Sequence, residues 1–199
     1  MSKIAVNEIT NEAGTGGPTL PNGLTGGLTL GGDLDIGSSK ITNGGTGGIE
    51  VDTAGRVTNS TLPAFRVFRD SPNEDSSSET DLVPYNAKDY DVGNNYDLST
   101  LRFNAPVSGT YFFTSSVNCY AISSGTYFYC ALRLNGSNYA VGSRIDVNDT
   151  GDFVVVISEV LSLSEGDYVE IVSISGDASR SYSGSGTGFW NHFAGYLIG

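Results

Sequence analysis

The chain has 199 residues, 27 of them glycine, and a net charge of −12. Its ten lysines and arginines are scattered and form no basic stripe, so a nucleic-acid partner is not expected. The longest run of large apolar residues, FVVVI at 153–157, is far too short to insert into a membrane, and the opening MSKIAVNEIT lacks the apolar stretch of an export signal.

Composition divides the chain in two. Residues 1–64 contain no Phe, Tyr or Trp, and residues 65–199 contain all 21. The first 60 residues hold 14 of the glycines. We therefore read 1–60 as a thin segment without a core of its own and 61–199 as a domain able to build one, with the boundary near Thr61-Leu62-Pro63.

The thin segment carries short alternating units after glycine pairs. They are Leu28-Thr29-Leu30, Leu34-Asp35-Ile36 and the GGIEV unit with Ile49 and Val51. Two aliphatic side chains per unit return roughly 1.5–3 kcal/mol apiece when buried. Fixing five residues costs about 1–2 kcal/mol each. A lone copy therefore stays unfolded here, either as a flexible linker or until other strands cover it. The alternation favours strands covered by copies of themselves. D-x-D-x-G at 33–37 evokes a calcium loop but lacks its third ligand and distal Glu.

Two polar stretches open the second part. Asp70, Glu74, Asp75, Glu79 and Asp81 sit among serines, as a solvated loop or, more weakly, a calcium site. Tyr85, Asp89, Tyr90, Asp91, Tyr96 and Asp97 mix rings with carboxylates. That mixture suits recognition of a glycan or protein and equally suits capping a sandwich end.

From 112 onward, short alternating runs recur between turn residues, which predicts an all-β sandwich or jelly roll. The spacing predicts a hairpin of 112–122 with 126–134, turning at Ser124-Gly125. A second joins 130–134 to 137–141 through Asn135-Gly136, the strongest short hairpin signal. A third pairs 153–163 with 168–174, and 193–198 closes the chain. Strict alternation puts Val117, Cys119, Ala121, Phe128, Cys130, Leu132, Leu134, Tyr139 and Val141 on the core side. It leaves Asn118, Tyr120, Ile122, Tyr127, Tyr129 and Arg133 outside. Three tyrosines and an isoleucine together outside suggest that Tyr120, Ile122, Tyr127 and Tyr129 form a subunit interface. In the first hairpin Cys119 opposes Cys130 at a hydrogen-bonded pair, which suits a disulfide poorly, so two buried thiols are expected.

No catalytic pattern emerges. G-x-S-x-G and phosphate-binding loops are absent, GSGTG at 184–188 reads as a plain loop, and the single histidine, His192, falls in the closing strand. An enzyme is not expected, nor a cofactor beyond the weak calcium possibility.

Five motifs carry a resemblance. They are Ala64-Phe65, then Phe103, Pro106, Gly109, Tyr111 and Phe113 within RFNAPVSGTYFFT, then Leu134-Asn135-Gly136, then Gly166-Asp167 with Val169, and Phe193-Ala194-Gly195-Tyr196-Leu197. In this order they resemble the globular C1q domain, a jelly roll of the tumour-necrosis-factor superfamily. The resemblance implies a homotrimer. The collagen stalk of animal members is absent, since glycine does not fall at every third position. SKIAVNEIT with GGPTLPNG, and the lead-in VDTAGRVTNSTLPAF, instead resemble virion proteins of tailed bacteriophages, notably those infecting cyanobacteria. Together these imply a virion structural protein, a homotrimeric phage tail fibre, exposed on the particle surface and assembled in the host cytoplasm. Residues 1–60 attach to another virion protein and form an intertwined trimeric β-strand shaft. There Leu28, Leu30, Leu34, Ile36, Ile49 and Val51 meet their symmetry mates. Residues 61–199 form a jelly-roll tip that binds a glycan or protein of the host surface, with Tyr85, Asp89, Tyr90 and Tyr96 as candidate contacts. The alternatives are a head fibre or capsid-cement protein, a secreted C1q-like recognition protein, and a polysaccharide-degrading spike.

Overall fold

The computed structural model describes residues 54–199 in full and, before them, the backbone of Ile41–Thr42 and Gly48–Val51. Leu28, Leu30, Leu34 and Ile36 lie outside the described residues, and Ile49 and Val51 lie on a strand whose backbone alone is described. The described residues form strands β1–β16 and no helix. The first three, β1 (Ile41–Thr42), β2 (Gly48–Val51) and β3 (Val57–Thr58), make a small antiparallel sheet.

The remaining strands form two antiparallel sheets around one core. The first sheet runs β5 (Glu74–Asp75), β15 (Ser181–Tyr182), β10 (Gly109–Ile122), β16 (His192–Leu197), β4 (Ala64–Phe68) and β7 (Ala87–Val92). β13 (Gly151–Leu163) also pairs with β10. The second sheet runs β12 (Ser137–Val147), β11 (Thr126–Leu134), β14 (Tyr168–Ser175), β9 (Arg102–Asn104) and β8 (Tyr96–Asp97), and β6 (Thr80–Leu82) also pairs with β14.

Two expected hairpins do not form. β10 pairs with β13, β15 and β16, while β11 pairs with β12 and β14. The chain thus crosses from one sheet to the other at Ser123–Gly125, and again between β13 and β14. A short arch between facing sheets uses the same turn residues as a hairpin, so local sequence does not separate them. Longer-range pairing decides, because every edge of these central strands must find a partner. The Asn-Gly hairpin between β11 and β12 does form, with Asn135 and Gly136 both at positive φ.

The motif aromatics build the centre of the core. Phe65 lies 4.8 Å from Phe103, 5.0 Å from Phe193 and 5.3 Å from Tyr96, ring centre to ring centre. Phe113 and Tyr111 close the cluster. At Gly195 any Cβ would come within 2.5 Å of the Phe113 ring, so glycine is required there. The two turns also hold each other: Asn135 Nδ2 donates to Asp167 Oδ1 at 2.8 Å, and Tyr168 N donates to Asn135 Oδ1 at 2.9 Å.

Strict alternation fails at two places. A bulge in β10 between Cys119 and Ile122, with Ala121 at φ 61°, shifts the phase by one. Ile122 therefore points inward and is fully buried, which removes it from the expected subunit interface, while Ala121 is exposed. Irregularities where β11 meets β12 likewise leave Tyr139 and Val141 exposed rather than in the core.

Candidate binding faces

Antiparallel pairing sets the outward face of the first sheet in rows. One row reads Val160, Phe112, Tyr196, Ala64, Val92 across five strands. The next reads Ser158, Thr114, Ala194, Arg66, Tyr90, and a third begins Val156, Ser116, His192, Phe68. Val154, Val156, Val160 and Tyr196 are all exposed, and the Phe112 and Tyr196 rings lie 5.5 Å apart. The centre of the face is small: Thr114, Ser116 and Ala194 leave room for another surface to approach. Beside it, Phe189 and Trp190 stand exposed and edge-to-face at 4.7 Å. Their loop is held firmly. Asn191 donates to the carbonyls of Asn118 and Ser183, and Ser116 Oγ donates to the Trp190 carbonyl.

The sequence carries a signal for Val154 and Val156 beyond the length of their apolar run. FVVVI is apolar at consecutive positions, so β13 must be covered on both faces. The expected interface residues, by contrast, do not share a face. Tyr120 lies on β10 in the first sheet, and Tyr127 and Tyr129 lie on β11 in the second, because the hairpin that grouped them is absent.

The outward face of the second sheet has a different chemistry. Tyr127 and Tyr129 pack with Leu82 on a small cluster of Ala131, Val172 and Ile174. The Arg144 guanidinium lies over Tyr127 at 4.5 Å and bonds Asp146 at 3.2 Å. Below them Glu170 is buried between Arg102, at 2.8 Å, and Arg133, at 4.0 Å.

Two of the four candidate host contacts are corrected. Tyr85 and Tyr96 are 2% and 1% exposed. Tyr85 bonds Ser115 Oγ at 2.8 Å and Tyr96 stacks on Phe65, so both rings are core. Burial raises both phenol pKa values. Tyr90 is half-exposed, and Asp89 is engaged by Arg66. Asp91 is held by Lys88 and by the backbone N–H groups of Asn95 and Tyr96. In the acidic stretch each bonded carboxylate serves its own partner: Glu74 pairs with Arg69, Asp75 accepts from Ser181 and Asp81 from Ser76. Among the described residues no three His, Cys, Asp or Glu side chains gather as metal ligands.

Cys119 and Cys130 are free, buried and on opposite sheets. Burial pushes both thiols up to about 12. A buried thiol with almost no thiolate is inert. The native chain should therefore not react with a disulfide reagent at pH ~8 and should react at both cysteines once denaturant is added. Rapid native labelling at either site would contradict this placement.

His192 sits within the first face, its Nδ1 buried and without a hydrogen-bond partner among the described residues. Burial, and then the Arg66 guanidinium, hold its pKa below the ordinary 6.5. Arg66 in turn faces Asp89. As pH falls through the ordinary value, the unfolded chain takes a proton that the folded chain resists, so stability falls. The thermal midpoint should drop between pH ~7 and ~5, and His192→Gln should flatten that part of the decline. An unchanged slope in the variant would contradict it.

The family model for the C1q domain matches residues 64–198. Three solved structures share the fold. The globular domain of zebrafish complement 1qA is 24% identical, with a TM-score of 0.54, covering 69% of this chain and 98% of that one. Eiger TNF from S. frugiperda is 11% identical, TM-score 0.53, covering 70% and 94%. Murine APRIL at pH 5.0 is 11% identical, TM-score 0.51, covering 69% and 99%.

Proposed function

The chain belongs to the C1q domain family, and from that premise together with its amino-terminal sequence we propose that it is a homotrimeric, non-enzymatic adhesion protein, the tail fibre of a virion. Residues 1–60 attach to another virion protein and form the shaft, and residues 61–199 form a tip that binds a glycan or protein of the host surface. The observation that carries this reading is the pair of unlike faces on one sandwich. The first sheet turns Val154, Val156, Val160, Phe112 and Tyr196 away from the core. A soluble chain with net charge −12 has reason to keep such a surface only if other copies cover it. A threefold ring covers it with closed symmetry. The second sheet's outward face, on the far side of the sandwich, then stays open three times over. Three weak sites on one body gain avidity through effective concentration. No bond is made or broken and no cofactor takes part. The likeness of the amino-terminal sequence to tailed-phage virion proteins supports the fibre setting.

Gold-labelled antibody against the tip tests the setting on intact particles. Labelling at the tail, with purified chain competing against particle adsorption to host cells, is the expected result. Labelling over the head would replace the reading with a cement protein, and absence from the particle would end it.

A further inference from the structure

At one end of the second sheet, Gly125, Thr126, Tyr127, Arg144, Asp146, Val147 and Asn148 line an open hollow of about 330 Å³. Its geometry follows from register. Tyr127 pairs with Asp146 and Tyr129 with Arg144 across β11 and β12, while Phe128, Ile145 and Val147 between them turn towards the core. Tyr127, Arg144 and Asp146 therefore share the outward face. Arg144 is fixed over Tyr127 at 4.5 Å and Tyr129 at 5.9 Å, and both its Nε and Nη2 donate to Asp146 Oδ1. Arg144 Nη1 and Asp146 Oδ2 have no partner among the described residues, and the two side chains are half and more than three-quarters exposed.

We infer that this hollow binds a neutral pyranose unit of a surface polysaccharide through two adjacent hydroxyls; the inference rests on the adhesion reading above. Asp146 Oδ2 accepts from one hydroxyl while Arg144 Nη1 donates to the next, an acceptor and a donor held side by side by the 3.2 Å bond between Arg144 Nη2 and Asp146 Oδ1. The Asn148 amide at the rim supplies both a donor and an acceptor. The Tyr127 edge supplies an apolar wall for the sugar's C–H face. The volume holds about one such ring, and the three copies supply the rest of the affinity. The neutral sugar is favoured over an acidic one. Arg144 and Asp146 cancel locally, and the chain's overall charge of −12 repels an anionic polymer. The hollow also lies on the opposite face from the Val156 rows, so binding and self-association do not compete.

The test uses the full chain on plates coated with multivalent galactose, glucose, mannose, rhamnose and glucuronate conjugates, with mild periodate oxidation of host cells alongside. Retention on at least one neutral conjugate, weaker retention on glucuronate, and loss of cell binding after periodate are expected, because periodate cleaves adjacent hydroxyls. Asp146→Asn and Arg144→Gln should each weaken retention tenfold or more with the sedimentation profile unchanged, a loss of about 1.4 kcal/mol or more. Retention on no neutral conjugate, equal or stronger retention on glucuronate, periodate-resistant cell binding, or variants that bind as the parent does would each overturn the inference. In those cases a trimer that still competes for host cells leaves the adhesion reading standing. A chain that is monomeric or does not compete brings down that reading instead.

Discussion

Replacing Phe65 with alanine lowers the unfolding free energy of the full chain by about 4 kcal/mol. The ring is fully buried and touches Tyr96, Phe103, Phe113 and Phe193, with centroid separations from 4.8 to 6.4 Å. It therefore joins strands of both sheets: β4 and its neighbours in one, β8 and β9 in the other. Removing it leaves a void that the surrounding rings fill poorly, because the tight approach of Gly195 beneath Phe113 and Phe65 already fixes their positions. Transfer and cavity costs add, and lost aromatic pairing adds about 1 kcal/mol more. Denaturant unfolding at fixed protein concentration, followed by the single tryptophan, Trp190, gives the number. A loss below about 2 kcal/mol would show that the cluster collapses around the gap, contrary to a tightly packed core.

Val156→Glu should leave the domain folded and break self-association. The side chain is 53% exposed in the single subunit, so a carboxylate there remains hydrated and costs little in folding. In a covered face the same carboxylate loses its water without gaining a cation. Burying an unpaired charge costs several kcal/mol per subunit, enough to shift association by a thousandfold or more, roughly. Val141→Glu is the control. Val141 is 63% exposed on the second sheet's outward side, so the same charge change there should leave the assembly intact. Loss of assembly in the Val141 variant alone would move the subunit interface to the second sheet.

The aromatic residues that define the core were legible in the sequence because each recurs at a fixed place in the C1q pattern. Phe65, Phe103, Tyr111, Phe113 and Phe193 all converge where that pattern implies a jelly-roll centre. Strand positions were also legible, since alternation and turn residues are local. Partnership was not. The turn at Ser123–Gly125 reads as a hairpin because an arch between sheets needs the same residues, and the difference lies in what β13 and β14 do more than twenty residues later. The face of Ile122 was hidden for a related reason. A single bulged residue, Ala121, inverts the phase, and nothing in its identity as alanine announces a left-handed backbone. Tyr85 and Tyr96 were misplaced by chemistry rather than geometry. Their acidic neighbours suggested a surface loop, whereas the loop's carboxylates are turned to Arg66 and Lys88 and the rings go inward. The hollow between β11 and β12 was invisible to motif reading, because Tyr127, Arg144 and Asp146 meet only through cross-strand register.

The proposed covering of the valine face and the proposed sugar site both rest on threefold association. Sedimentation equilibrium of the full-length chain at micromolar concentration measures it without reference to ligand or host. A single species at three times the 20.8 kDa subunit mass is the expected result, stable on dilution. A homogeneous 20.8 kDa species would contradict it, because Val154, Val156, Val160 and Tyr196 would then face water with nothing to cover them.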